Sequence, residues 1–169
     1  MAVEITEEFV WQSIPPRARD SHKGTFGSVL AVAGSAFYRG AALLAAEGAL
    51  RTGAGIVTLA SVEPVVSAAV TRLPECCLCP CKEGAQGGIA PENVPLLRRQ
   101  KATVLLVGPG LGSTAQSAAR AAETRTLVQQ LGSVGIPLSV MPNAGYPVVT
   151  RARVLYQGKP AYFAREMGQ

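Results

Sequence analysis

Two clusters of small residues and one run of thiols are where this 169-residue chain could do chemistry. Gly34-Ser35 and Gly40-Ala41 bracket a short loop; Gly108, Gly110 and Gly112 punctuate a second stretch. Glycines at a strand-to-helix joint leave backbone N–H groups bare at the positive end of a helix dipole, where a phosphate is favoured. The same glycines also serve tight turns and close helix packing, and spacing alone leaves both readings open. Acid–base chemistry is poorly supplied. The chain has one histidine, His22, and one aspartate, Asp20, both ahead of the first expected strand. No second carboxylate is expected near a strand end, so no acid–base pair can be assembled and no catalytic residue is assigned.

The thiols occupy Cys76-Cys77-Leu78-Cys79-Pro80-Cys81. In an extended segment Cys77, Cys79 and Cys81 share one face and Cys76 takes the other, so four thiolates cannot converge tetrahedrally. They read as small apolar residues of a buried strand, with no metal site assigned.

The elements that must position these residues follow from the apolar pattern. Val29 to Ala33 is a continuous apolar run suited to a strand covered on both faces. The Ala- and Leu-rich segment Ala41 to Arg51 is a helix, stopped at Gly53, and Ile56 to Ala60 is the next strand. A helical crossover makes those strands parallel and right-handed, which puts Gly34, Ser35 and Gly40 at the carboxyl edge of the sheet. Extending this reading gives strands near 29–33, 56–60, 76–79, 103–107 and 138–141. Helices fall near 6–12, 40–52, 63–71, 91–99, 115–131 and 160–167, and the stretch 153–157 is left as edge strand or loop. The alternation predicts a single α/β domain over 1–169, a three-layer Rossmann-like parallel sheet of about five strands with helices on both faces. Lys82 to Pro91, with three glycines, reads as a surface loop. Gly110 to Ala115 fits G-x-G-x-x-A, but the acidic residue expected about 20 positions on is missing, and Glu123 falls too early, inside a helix.

Composition narrows the classes further. Hydrophobic residues make up 48% and charged residues only 16%, against a usual charged fraction of about 25%. Such a surface invites a second copy, so a homo-oligomer through an exposed sheet edge is expected. The net charge is +5, yet the 16 basic residues are dispersed rather than striped, so nucleic acid is not an expected partner. No apolar run approaches the roughly 20 residues that span a bilayer, and the acidic start has no signal pattern, so a cytoplasmic location and no membrane partner are expected.

Several motifs in order carry a specific resemblance. His22-Lys23-Gly24, Phe26-Gly27, Ala33-Gly34-Ser35, Gly40-Ala41-Ala42, Thr52-Gly53-Ala54-Gly55, Leu73-Pro74-Glu75 and Val107-Gly108-Pro109-Gly110-Leu111-Gly112 resemble the ADP/ATP-dependent NAD(P)H-hydrate dehydratases, of the ribokinase-like superfamily, over roughly 15–115. The resemblance implies a site for the hydrated nicotinamide dinucleotide along the strand ends, walled by Gly40-Ala41 and the Gly108 to Gly112 loop. It also implies a general base, an aspartate in a late Gly-x-Gly-Asp turn, and no such turn exists in this sequence. Residues of about 125–167, through Ile136-Pro137 to Ala164, resemble a segment of the homocysteine S-methyltransferase barrels, without those barrels' zinc cysteines. Asn143 falls near where the dehydratases place an acidic strand end. The implied picture is a chimera, 1–115 dehydratase-like and 116–169 barrel-like, inactive by itself. Its ligand would be ATP, ADP or an NAD(P)H-type dinucleotide or phosphate, with no cofactor required; the alternative is a functional dehydratase, as a fragment or with a partner chain. Binding residues are taken as Gly34, Ser35, Gly40, Ala41, Gly108, Gly110, Gly112 and Asn143.

Overall fold

The computed structural model describes residues 4, 6–13, 16–111, 118–132, 138–140, 152–156 and 159–163. A short helix α1 (Glu7–Ser13) and a 3₁₀ turn (Lys23–Phe26) lead into strand β1 (Ser28–Val32). There follow α2 (Arg39–Arg51), β2 (Ile56–Val62), α3 (Glu63–Arg72), β3 (Cys77–Cys81), a 3₁₀ turn (Pro91–Asn93), α4 (Val94–Arg98), β4 (Val104–Val107), α5 (Ala118–Gly132) and β5 (Leu138–Val140). The five strands form one sheet in the order β3-β2-β1-β4-β5, and every neighbouring pair is parallel.

That order fixes the layers. The chain steps from β1 to β2 to β3 in one direction, so right-handed crossovers lay α2 and α3 on one face. It then returns past β1 to β4 and on to β5, which puts α4 and α5 on the other. Leu30, Val32, Leu59 and Val107 in the central strands are all but fully buried, as strands covered on both sides must be. On α2, Ala42, Leu43 and Ala46 form the buried stripe; on α5, Leu127 and Leu131 do the same, four residues apart. The Arg98 guanidinium donates to the Gln130 carbonyl at 3.2 Å, tying α4 to α5. On the outer strand β3, Pro80 is exposed opposite Ser61 of β2.

The amino edge of this sheet is closed by hydrogen bonds. Thr103 Oγ1 accepts from the Ser28 N–H at 2.6 Å and donates to the Ser28 carbonyl at 2.7 Å. His22 caps the first 3₁₀ turn, its Nδ1 accepting from the Gly24 N–H at 3.1 Å. A Cβ on Gly55 would overlap the Lys23 backbone carbonyl, so the lead-in and the start of β2 touch main chain to main chain.

The expected five-stranded parallel sheet is present, with strand boundaries moved by at most two residues. Two expectations near the end of the chain change. The helix expected near 160–167 is instead a strand over its first part, β7 (Lys159–Phe163), antiparallel to β6 (Ala152–Tyr156). Tyr162 and Phe163 favour the extended form over the helical one. The open stretch 153–157 thus resolves as a strand, in a separate two-stranded sheet. Among the described residues no helix is long and apolar enough to cross a membrane.

Candidate functional site

At the carboxyl ends of β1 and β4 the chain leaves the sheet in opposite directions. α2 departs to one face and α5 to the other, which opens a crevice at the point where the strand order reverses. Both glycine clusters singled out by sequence meet there. Gly34 follows β1 with φ +79°, a left-handed conformation, and its N–H donates to the Pro109 carbonyl at 2.9 Å. A Cβ on Gly34 would stand 2.8 Å from the Ala42 Cβ and 3.2 Å from Ser61 Oγ and Val65 Cγ2. Here the packing role of the glycine is the one observed. Gly110, at φ +78°, presses on the first turn of α2, where a Cβ would meet the Tyr38 carbonyl at 2.9 Å and the Ala41 Cβ at 3.0 Å. Gly108 continues the ladder, donating to the Val32 carbonyl at 3.0 Å.

Ser35 is buried, and its Oγ accepts from the Tyr38 N–H at 3.3 Å, so its hydroxyl shapes the turn that starts α2. Gly40 is exposed and nothing lies within 4 Å of where its Cβ would be. The start of α2 is therefore open on the Gly40 side, with main-chain N–H groups of a first helical turn that have no helical partner. Arg39, the first residue of α2, is exposed beside it, with Nε donating to the Ala36 carbonyl at 3.0 Å. An anion on this surface would meet a helix start and a cation together. The structure thus brings together Gly34, Ser35, Gly40, Ala41, Gly108 and Gly110; Gly112 and Asn143 lie outside the described residues.

A third wall was not legible as such. The loop after β3 bends back on the crevice, and the Ala36 N–H donates to the Gly87 carbonyl at 2.8 Å. Gly87 lies under the Phe37 ring, and Gly87 to Ala90 are buried, so the segment read as a surface loop is exposed at Lys82, Glu83 and Ala85 and turns inward over its second half. Glu123 of α5 reaches this loop: its carboxylate covers Gly84, and its Oε2 is buried without a hydrogen-bond partner among the described residues. The expectation that no further carboxylate stands near a strand end is corrected by this residue and by Glu63 and Glu83, one residue after β2 and two after β3. Helix starts and return loops carry these groups, and strand-end patterning does not reveal them. His22 and Asp20, by contrast, belong to the lead-in before β1, at the opposite edge.

The thiols stand apart from the crevice. Cys76, Cys79 and Cys81 are buried and Cys77 is exposed, all as free thiols, so the small-apolar reading fits three of the four. Cys76 Sγ donates to the Val57 carbonyl at 3.4 Å. Burial raises the pKa of Cys76 and Cys79 and pushes Cys81 up to about 12, so these groups stay protonated and are weak metal ligands. Among the described residues no group of three or more His, Cys, Asp or Glu side chains could hold a metal ion.

A parallel sheet in this order with a glycine-built crevice at its switch point is a ribokinase-like α/β domain, and solved structures bear the class out. The chain superimposes on the ADP/ATP-dependent NAD(P)H-hydrate dehydratase of Bacillus subtilis, co-crystallised with ATP/Mg2+, with a TM-score of 0.62 and 29% identity over 80% of this chain and 44% of that one. A ribokinase-like superfamily protein of Enterococcus faecalis gives 0.58 and 25% identity, over 74% of this chain and 40% of that one. By sequence, the ADP-dependent (S)-NAD(P)H-hydrate dehydratase of Listeria monocytogenes is 39% identical over 111 residues, 64% of this chain and 37% of the relative. The profile of the NAD(P)H-hydrate dehydratase family matches residues 29–134, and the chain belongs to that family. It spans well under half the length of these relatives.

Proposed function

We propose that the chain binds a phosphate-bearing nucleotide of the ADP, ATP or NAD(P)H class at the β1/β4 crevice, and that it does not dehydrate the hydrated dinucleotide by itself. The observation that carries this reading is the open start of α2 at the switch point: Gly40 has free space beside it, while Gly34 and Gly110 lock the surrounding loops. A phosphate there would rest on main-chain N–H groups, with the Arg39 charge alongside. Any Mg2+ would arrive on the phosphates, since such ions are held largely by substrate oxygens and water. The proposed lack of turnover by these 169 residues alone rests on their having no Gly-x-Gly-Asp turn, which the family resemblance implies as the source of the general base. We also propose a recombined origin, with 116–169 completing a dehydratase-like 1–115, although the family match continues past that seam to residue 134.

A second reading, a working dehydratase acting with another chain, is favoured by the family membership itself. Thermal unfolding with ADP, ATP, NADPH and sulfate separates the cases. A ligand at about 100 times its dissociation constant adds about 2.7 kcal/mol to stability. Gly40→Ala, which meets no steric obstacle, is expected to fold normally and lose that gain. No shift with any of the four ligands would remove the binding reading, and ordinary turnover of hydrated NADPH with ADP or ATP would replace it with the second.

A further inference from the structure

Glu123 Oε2 is buried and has no hydrogen-bond partner among the described residues, a state that costs free energy unless a donor or cation relieves it. The Cβ side of buried Gly88 is bounded by acceptors: a Cβ there would stand 3.4 Å from the Leu111 carbonyl oxygen and 4.0 Å from Glu123 Oε2. The Leu111 carbonyl, with two lone pairs, accepts from Thr124 Oγ1 at 3.2 Å and from no second donor among the described residues. Two acceptors therefore converge over a glycine, on the wall that the 84–88 loop shares with the crevice.

We propose that Glu123, with the Leu111 carbonyl, is the specificity element that takes the neutral, donor-bearing part of the nucleotide, its hydroxyl or amino groups, while the phosphates occupy the start of α2. This rests on the binding reading above. The chemistry sorts the two ends of such a ligand: a carboxylate repels phosphate and accepts from O–H or N–H, and a helix start does the reverse. The loop covering Glu123 is held by main-chain bonds, Gly84 N–H to the Gly88 carbonyl, Gly87 N–H to the Gly84 carbonyl and Ala36 N–H to the Gly87 carbonyl. Gly84, Gly87 and Gly88 fall within five residues, Gly87 adopts φ +76°, and a side chain at 84 would overlap the carboxylate. Displacement of this loop by a ligand group exchanges an unpartnered oxygen for a bonded one.

The test compares ADP with pyrophosphate, which shares the phosphates and lacks the nucleoside, by calorimetric titration of the full chain and its Glu123→Ala and Glu123→Gln variants. Glu123→Ala is expected to weaken ADP about tenfold or more and leave pyrophosphate within twofold. Glu123→Gln, which keeps an acceptor oxygen, should fall between. Thermal unfolding checks that both variants fold; removing an unpartnered buried oxygen should not lower the midpoint. Equal weakening of both ligands, or unchanged ADP affinity in Glu123→Ala, would overturn the assignment while leaving the crevice reading intact. If neither ligand binds the unaltered chain, the crevice reading fails first and this one with it.

Discussion

The two edges of the central sheet use glycine in opposite ways. At the amino edge, Gly27 and Gly55 let the lead-in close against β2 and β4, and the polar groups find partners inside: Thr103 with Ser28, His22 with Gly24. At the carboxyl edge, Gly34 and Gly110 bring the loops equally close, but the start of α2 stays open and Glu123 Oε2 stays unpartnered. On the proposed reading, equal packing with unequal polar satisfaction distinguishes an end that only holds the fold from an end that takes a ligand. Incomplete hydrogen bonding marks the site better than glycine content does.

The largest effects should come from filling the glycine contacts. Gly34→Ala forces a side chain into a left-handed backbone position against Ala42, and about 2–4 kcal/mol of stability should be lost. Gly55→Ala drives a methyl into a main-chain carbonyl and should cost at least as much. If urea unfolding finds either variant within 0.5 kcal/mol of the parent, on the order of an ordinary surface change, the close packing claimed for that edge is wrong. A smaller loss, about 1 kcal/mol, is expected for Thr103→Val, which keeps the branched shape but removes a hydroxyl that both donates and accepts. The same urea series measures it, and ADP affinity should not change, since Thr103 belongs to the other edge.

The last effect is a slope. Cys81 releases its proton near 9 when unfolded but holds it to about 12 in the folded chain. Above pH 9 the unfolded state binds fewer protons, so stability should fall as pH rises from about 9 towards 12 and be flat with respect to this group below. Cys81→Ala should flatten that alkaline limb whatever its effect on absolute stability. An unchanged slope would show that the thiol is not shielded from water.

Much of this was legible in the chain. Val29 to Ala33 and Thr103 to Val107 read as buried strands because unbroken apolar runs have few other uses, and Gly34 and Gly53 marked the ends of their elements. The two glycine clusters were rightly paired with one edge. What pairing could not reveal was the clamp of the 84–88 loop, which depends on one main-chain bond from Ala36 to Gly87 and leaves no side-chain pattern. Glu123 was passed over because a spacing rule for strand-end acids was applied to a residue delivered by a helix. The helix expected near 160–167 gives way to β7 because pairing with the neighbouring β6 decides the state of so short a segment.

Pro80 has a bearing on assembly. A proline on an outermost strand blunts the rim against additional strands, so strand addition beyond β3 is disfavoured, and the exposed face of Pro80 withholds one N–H from any incoming ladder.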